Sequence, residues 1–335
     1  MSHETKRMRT DLFPFISETF EDVALRLFRY QAQHNPVYGT WLQHLGMDLA
    51  RQEAVTSLMD VPFLPIETFK THEVKTGTFE PGAIYTSSGT TGQTPSRHLV
   101  AHPEAYLKNA QACFEHFYGP VDQYAWLCLL PSYMEREGSS LIAMAEHFVK
   151  QSPVEESGFF LHGLDELRYR LETLELNGVP TIILGVTFAL LDWAESLEKP
   201  LSLKSTLIME TGGMKGRRVE PVREEVHATL QAAFGLECIH SEYGMTELLS
   251  QAYSFGLGRY VPPPQLRILP RSPENPLDWA PLGSHAALNC VDLANAESCA
   301  FIATADLGKV FENGTFEVLG RMEGSDLRGC SLLTV

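Results

Sequence analysis

Two short segments of the chain combine residue types that bind phosphate. The first runs from Tyr85 to Arg97 and reads Tyr-Thr-Ser-Ser-Gly-Thr-Thr-Gly-Gln-Thr-Pro-Ser-Arg. Hydroxyl groups and glycine amides can surround phosphate oxygens, and the loop supplies them from Ser87, Ser88, Gly89, Thr90, Thr91 and Gly92. It lacks the Gly-Lys-Ser/Thr ending of a mononucleotide P-loop, which disfavours a kinase or a GTPase. We predict a nucleotide-binding loop; the alternative is an ordinary turn rich in serine and threonine.

The second segment is Tyr243-Gly244-Met245-Thr246-Glu247, about 150 residues further along the chain. In this order the two segments resemble the signature of the adenylate-forming superfamily, which includes acyl-CoA synthetases and luciferases. The resemblance implies that the first loop grips the β- and γ-phosphates of ATP. It also implies that Tyr243 and Gly244 lie near the adenine, that Thr246 contacts the α-phosphate and that Glu247 holds Mg²⁺. Magnesium prefers hard carboxylate and phosphate oxygens, so the last assignment is chemically reasonable.

Three more pieces follow the same pattern. At Gly212 and Gly213 the superfamily lays backbone against the adenine, and glycine permits such a close approach. By resemblance, Asp306 accepts hydrogen bonds from the ribose hydroxyls, and Arg321 approaches the ribose or the α-phosphate. The superfamily usually has glycine where this chain has Ala305. Each piece alone is more often a turn or a solvated arginine, but their shared order favours the nucleotide site.

The resemblance narrows when longer stretches are compared. Residues 61–70, 212–216 and 240–247 are similar to the acyl-protein synthetase (LuxE-like) family, and the similarity extends from about residue 10 to the end. This family supplies fatty acyl groups to the fatty acid reductase of bacterial bioluminescence. The resemblance implies a ligase that uses ATP and magnesium to form an acyl-AMP from a fatty acid. The acyl group would pass as a thioester to Cys330, because a thiolate is intrinsically nucleophilic.

Acyl-CoA synthetases of the superfamily continue past their Gly-Arg hinge with a mobile C-terminal domain that carries a catalytic lysine. Only fourteen residues follow Arg321 here, so we expect that lysine to be missing. Another cation should then stabilise the charge that develops at the α-phosphate. Lys215 is the first candidate and Arg97 the second, while the alternative is that Lys215 is an ordinary surface lysine.

Two other functions stay open at this stage. One is an acyl- or aryl-CoA ligase that uses free coenzyme A, as in the related phenylacetate-CoA ligases. The other is a nonenzymatic protein that binds a nucleotide or an acyl group and regulates a partner. The acyl substrate is not readable, because Phe188, Leu190 and Leu191 could line an acyl pocket or belong to the core.

The composition argues against several other classes of protein. The formal net charge is −16 and no basic run is visible, which argues against nucleic-acid binding. We expect no secretory signal in the polar segment 1–10 and no apolar stretch that spans a bilayer, and hence a cytoplasmic protein. The six cysteines are scattered without zinc or redox spacing, so most are expected to be reduced core residues.

The pattern of elements predicts an α/β fold of the adenylate-forming N-terminal type. Strands at 124–130, 181–186 and 206–210 alternate with helices at 165–177, 189–197 and 222–234, which indicates a mostly parallel sheet flanked by helices. A further amphipathic helix is expected at 17–31. We predict an α/β body over 1–257, a smaller β-rich subdomain over 258–320 with a hairpin at Asn313-Gly314, and a tail over 321–335.

Overall fold

One mixed sheet organises the chain and carries helices on its faces. The structure is a computed structural model that describes residues 19–87, 94–131, 138–212 and 222–322. The helices in these ranges are α1 Phe20–His34, α2 Pro36–His44, α3 Leu49–Ala54, α4 Thr68–Thr71, α5 Pro103–Tyr118, α6 Ser140–Gln151, α7 Leu164–Leu176, α8 Thr187–Ser196 and α9 Arg223–Phe234. None of these helices is long and apolar enough to cross a membrane.

The strands fall into a large sheet and a separate hairpin. They are β1 Leu64–Pro65, β2 Ala83–Thr86, β3 Arg97–Val100, β4 Ala125–Leu129, β5 Gly158–Phe159, β6 Thr181–Val186, β7 Thr206–Thr211, β8 His240–Tyr243, β9 Ala252–Ser254, β10 Arg259–Val261, β11 Leu266–Arg271, β12 Ala286–Asp292, β13 Phe301–Val310 and β14 Phe316–Arg321. Strands β2 and β3 form the hairpin. The other strands follow the order β11-β12-β13-β14-β10-β9-β8-β7-β6-β4-β5, with β1 added beside β13.

The half of the sheet from β5 to β8 is parallel. Its central strands are apolar and buried along their whole length, as in β4 and β6. Such continuous burial is typical of parallel strands that carry helices on both faces. The predicted α/β class is therefore confirmed, with the parallel, helix-flanked strands forming this half of the mixed sheet, and strand β6 has the predicted bounds.

The other half, from β9 to β14, is antiparallel, and the direction changes where β9 pairs with β8. The predicted hairpin is present between β13 and β14, where Gly314 has a φ of 79°. Glycine adopts this left-handed conformation without a steric penalty. This half is the expected strand-rich region.

Two hydrophobic cores underlie the sheet. The first surrounds the parallel strands and includes Trp126 and Trp193. The second joins residues 23–74 to residues 243–318. Helix α1 therefore packs on the antiparallel half, where the Gln31 amide donates to the carbonyl oxygens of Asn295, Ala296 and Ser298. The division into a body and a smaller β-rich subdomain stays a prediction.

Candidate active site

The hairpin β2–β3 holds the base of the predicted phosphate loop. The amide of Ser87 donates to the Ser96 carbonyl oxygen at 3.1 Å, and the Ser96 amide donates to Ser87 Oγ at 2.9 Å. These two hydrogen bonds join the two sides of the loop at its base. The other predicted loop residues, Ser88 to Gly92, lie outside the described residues.

The strand that leaves this loop touches the second motif. His98 of β3 is fully buried, and its Nδ1 lies 2.7 Å from the Thr246 carbonyl oxygen. A carbonyl only accepts, so His98 donates from Nδ1. Burial lowers the pKa of His98, although the Thr246 carbonyl and the Glu247 charge act in the opposite direction. The base of the loop and the turn at 243–247 are thus neighbours.

Three predicted residues from three strands meet beside this turn. The phenol of Tyr243, at the end of β8, donates to Asp306 Oδ2 at 2.9 Å. Arg321 Nε donates to the other carboxylate oxygen of Asp306 at 3.0 Å. Asp306 and Arg321 are paired residues of β13 and β14, and all three side chains are buried. The antiparallel pairing therefore supplies Asp306 with its cation.

Glu247 is fully buried directly after Thr246. Its backbone carbonyl accepts a hydrogen bond from Asn295 Nδ2 at 2.7 Å, which fixes the turn to the antiparallel half. Among the described parts of the chain no group of three histidine, cysteine or acidic side chains could hold a metal ion. A single hard carboxylate fits Mg²⁺, which usually takes one or two protein carboxylates and completes its octahedron with phosphates and water.

Gly212 follows β7 with a φ of 69°, in the left-handed region that favours glycine. Its carbonyl oxygen lies 2.5 Å from Thr187 Oγ1, which also lies 2.9 Å from Glu210 Oε2. The other oxygen of Glu210 lies 2.5 Å from Arg223 Nη1, at the start of α9. The side chain of Glu210 therefore links both ends of the segment 213–221. Gly213 and Lys215 belong to that segment, which lies outside the described residues.

The sequence reasoning missed the buried acid Glu242. Its carboxylate accepts a hydrogen bond from Thr211 Oγ1, and a Cβ at Gly244 would lie 2.5 Å from Glu242 Oε1. Burial raises the pKa of Glu242 to about 7, and the nearby Glu210 charge adds to the increase, while the Thr211 hydrogen bond opposes it. The only sequence signal was its position before Tyr243, because an acid in a strand is normally expected at the surface.

Asp292 is a second missed residue that positions the motif. It is fully buried in the antiparallel half. Its Oδ2 accepts hydrogen bonds from the amides of Leu249 and Ser250, and its Oδ1 accepts from Ser250 Oγ. Asp292 therefore holds the segment that follows Glu247.

Two other residues predicted for the site do not join this group. Arg97, the second candidate for the cation at the α-phosphate, is exposed on β3. Cys330, the expected acyl acceptor, lies outside the described residues.

The suggested acyl-pocket residues belong to the interior. Phe188, Leu190 and Leu191 lie in the first hydrophobic core, where each is buried. This favours the alternative that the apolar residues of α8 pack the parallel half of the sheet.

No family model matches the chain and no curated protein matches it in sequence, so the comparison rests on solved structures. A 2-hydroxyisobutyryl-CoA ligase in its postadenylation state is 14% identical, with a TM-score of 0.64 over 90% of this chain and 68% of that one. ATP-bound MatB from Rhodopseudomonas palustris is 19% identical, with a TM-score of 0.53 over 73% of this chain. O-succinylbenzoate coenzyme A synthetase from Bacillus subtilis, with ATP and magnesium, is 17% identical and has a TM-score of 0.50 over 73% of this chain.

These likenesses establish the fold class. The solved neighbours are ligases of the adenylate-forming superfamily, and the chain shares the fold of part of each: it spans 49% of MatB and 52% of the O-succinylbenzoate synthetase. The narrower assignment to acyl-protein synthetases stays a prediction.

Proposed function

We propose that this chain uses ATP to activate a carboxylic acid as an acyl-adenylate. The observation that supports this most is the contact of His98 with Thr246, which joins the base of the serine/threonine/glycine loop to the turn that carries Glu247. A triphosphate needs both elements within reach of one site. Solved neighbours that share the fold contain ATP, and one of them contains magnesium as well.

The roles of the residues follow from their chemistry. Loop residues 87–92 would hold the β- and γ-phosphates, and Thr246 the α-phosphate. Asp306 would accept from the ribose hydroxyls, because each carboxylate oxygen has a lone pair left after its bond to Tyr243 or Arg321. Gly212 would lie against the adenine. When bound on Glu247, Mg²⁺ would offset the negative charge of the phosphate oxygens.

The first step forms a mixed anhydride. An oxygen of the carboxylate attacks the α-phosphorus of ATP, the bond to the β-phosphate oxygen breaks, and pyrophosphate leaves with that electron pair. Negative charge accumulates on the α-phosphate oxygens, and a cation near them lowers the barrier. We propose Lys215, with Arg97 as the second candidate, for this role.

The second step transfers the acyl group to a thiol. The sulfur attacks the acyl carbon, the thiol proton leaves, and AMP departs with the electrons of the broken carbon–oxygen bond. We propose Cys330 or a thiol of a partner reductase as the acceptor, with a fatty acid as the substrate. Within the described ranges the cysteines of the interior are poor candidates, because burial raises the pKa of both Cys113 and Cys299 to about 12.

Free coenzyme A is the second candidate acceptor. It is favoured by the solved 2-hydroxyisobutyryl-CoA ligase in complex with coenzyme A, which shares the fold over 91% of this chain. Measuring AMP formation with and without coenzyme A separates the two acceptors. Strict dependence on coenzyme A would assign the chain to the acyl-CoA ligases.

The activation step is tested by ATP–pyrophosphate exchange over a panel of fatty, short-chain and aromatic acids. We expect acid-dependent exchange that is lost in Glu247→Gln and kept in Glu237→Gln, an exposed glutamate outside the site. If no acid supports exchange while ATP still binds, the chain is a nucleotide-binding regulator and the activation proposal is wrong.

A further inference from the structure

A cavity of about 570 Å³ opens in the antiparallel half of the sheet, beside the strand that carries Asp306. Part of its wall is formed by residues of the Val61–Glu67 segment. This segment contributed to the resemblance to acyl-protein synthetases and has no role in the proposed activation step. The cavity is within the volume range of small-molecule sites. Its wall includes Trp41, Phe63, Arg271, Leu277, Trp279 and Asn289. We call it the Arg271 cavity.

Two buried side chains in the wall of this cavity, Arg271 and Asn289, offer hydrogen-bond donors. Arg271 is only 4% exposed; its Nε donates to Asn289 Oδ1 at 2.9 Å and its Nη2 to the Thr304 carbonyl oxygen at 2.7 Å. A guanidinium has five N–H donors, so three of them have no acceptor within the described ranges. Since Asn289 Oδ1 accepts from Arg271, its Nδ2 is a further donor in the wall.

Aromatic and aliphatic side chains form another part of the wall. Trp41 Nε1 donates to the Phe63 carbonyl oxygen and Trp279 Nε1 to the Met59 carbonyl oxygen, so both indoles are fixed. The rings of Phe63 and Trp279 pack edge to face with centroids 6.0 Å apart. Leu277 lies at the surface, 63% exposed. These walls suit an aliphatic or aromatic body.

The charges of the cavity select among possible ligands. A buried guanidinium with free donors binds a carboxylate through two parallel hydrogen bonds. Three exposed acids, Asp60, Glu67 and Asp278, also contribute to the wall. One of them, Glu67, acts electrostatically on Arg271. Together they repel a ligand with several negative charges, such as a nucleotide or coenzyme A, much more strongly than a ligand with one. One negative charge on an apolar body meets both conditions.

We propose that the Arg271 cavity is a second small-molecule site, separate from the activation site, that binds a monocarboxylate with an aliphatic or aromatic body. The carboxylate lies on Arg271 and Asn289, and the body lies against the two indoles. Because Ala303 and Thr304 line the cavity, a ligand there contacts the strand that carries Asp306. The proposal does not depend on the activation step or on the acyl acceptor.

The test is titration of the full chain with octanoate and with phenylacetate, using calorimetry and tryptophan fluorescence. Two of the four tryptophans, Trp41 and Trp279, belong to the cavity wall, so binding should change the emission. We expect Arg271→Met to weaken binding by about ten- to a hundredfold, the range for hydrogen bonds to a charged group. Arg267→Met is the matched control, because Arg267 lies on the same strand but packs over Phe20.

A surface variant keeps the test valid if Arg271→Met does not fold. Leu277→Glu should weaken octanoate binding by at least about tenfold through charge repulsion. Leu282→Glu, at another exposed leucine outside the cavity wall, should not. Unchanged affinity in both Arg271→Met and Leu277→Glu, equal affinity of the wild type for octanol, or displacement of octanoate by ATP would each overturn the proposal. Pyrophosphate exchange reports separately on the activation site.

Discussion

The phenol of Tyr243 lies 2.9 Å from Asp306 Oδ2, although 63 residues separate them in the chain. Both residues were predicted to contact a nucleotide, and in the folded chain they contact each other. Arg321 completes the group on the opposite carboxylate oxygen. Three of the residues proposed to contact the nucleotide therefore belong to one buried, charge-paired unit that spans three strands.

This unit predicts an order of destabilisation. Arg321→Met should lower the free energy of unfolding by about 3–5 kcal/mol, because it leaves the buried Asp306 carboxylate without its cation. Tyr243→Phe removes one hydrogen bond to the same carboxylate and should lower it by about 1.5–3 kcal/mol. Urea unfolding of both variants checks the order. Equal losses of unfolding free energy in the two variants would show that the ion pair with Arg321 does not stabilise Asp306 more than the hydrogen bond from Tyr243 does.

Glu242 predicts a pH dependence of stability. Its pKa is raised from 4.5 to about 7 in the folded chain. Its contribution to the free energy of unfolding is therefore fully present below pH 4.5 and is lost as the pH rises towards 7. The total change is about 3 kcal/mol at 1.36 kcal/mol per pKa unit. Glu242→Gln stays neutral and should therefore be more stable than the wild type at pH 8, with a smaller difference at pH 5.

Urea unfolding of the wild type and Glu242→Gln at the two pH values measures this difference. The matched control is Glu237→Gln, at an exposed position in the segment before β8, which should show no such dependence. An equal effect of Glu242→Gln at pH 5 and pH 8 would contradict the raised pKa.

His98 predicts a positioning effect on the turn that carries Glu247. His98→Asn keeps a donor in place of Nδ1 and should retain most of the acid-dependent exchange. His98→Leu has no donor for the Thr246 carbonyl and should raise the KM for ATP by about tenfold, the equivalent of one hydrogen bond. Exchange kinetics at several ATP concentrations distinguish the two variants. An equal increase in the KM for ATP in the two variants would indicate that His98 contributes packing and no hydrogen bond to the turn.

The acyl acceptor is tested by two cysteine variants. Cys330→Ser should keep pyrophosphate exchange and abolish covalent labelling by radiolabelled fatty acid, because it removes the proposed thiol after the activation step. Cys238→Ser is the control, since Cys238 is exposed and carries a thiol outside the interior. If Cys330→Ser is labelled as strongly as the wild type, Cys330 is not the acceptor.

The sequence predicted the parallel half of the fold well, because local signals determine it. Strand β6 is a continuous apolar run and α7 has a clear apolar face ahead of Gly178. The packing of α1 on the antiparallel half could not be predicted. It depends on contacts such as that of Gln31 with Ala300, 269 residues away, which no local pattern encodes.

The site was predicted as a set of residues without their mutual contacts. Motif order identified Tyr243, Asp306 and Arg321, but only the strand register shows that Asp306 and Arg321 pair. The network of Glu210, Glu242 and Arg223 was missed for a physical reason. A charged residue such as Glu210 or Glu242 in a strand is expected at the surface, and its burial depends on partners that the tertiary fold supplies.

The central claim is that the loop at 87–92 and the turn at 243–247 act on one triphosphate and its metal. The most direct measurement is calorimetric binding of MgATP to the wild type, Ser88→Ala, Glu247→Gln and the double variant. Residues that act on the same ligand are expected to couple, so the two losses in binding free energy should deviate from additivity by more than about 0.5 kcal/mol. Additive losses, or unchanged MgATP affinity in Glu247→Gln, would contradict the account.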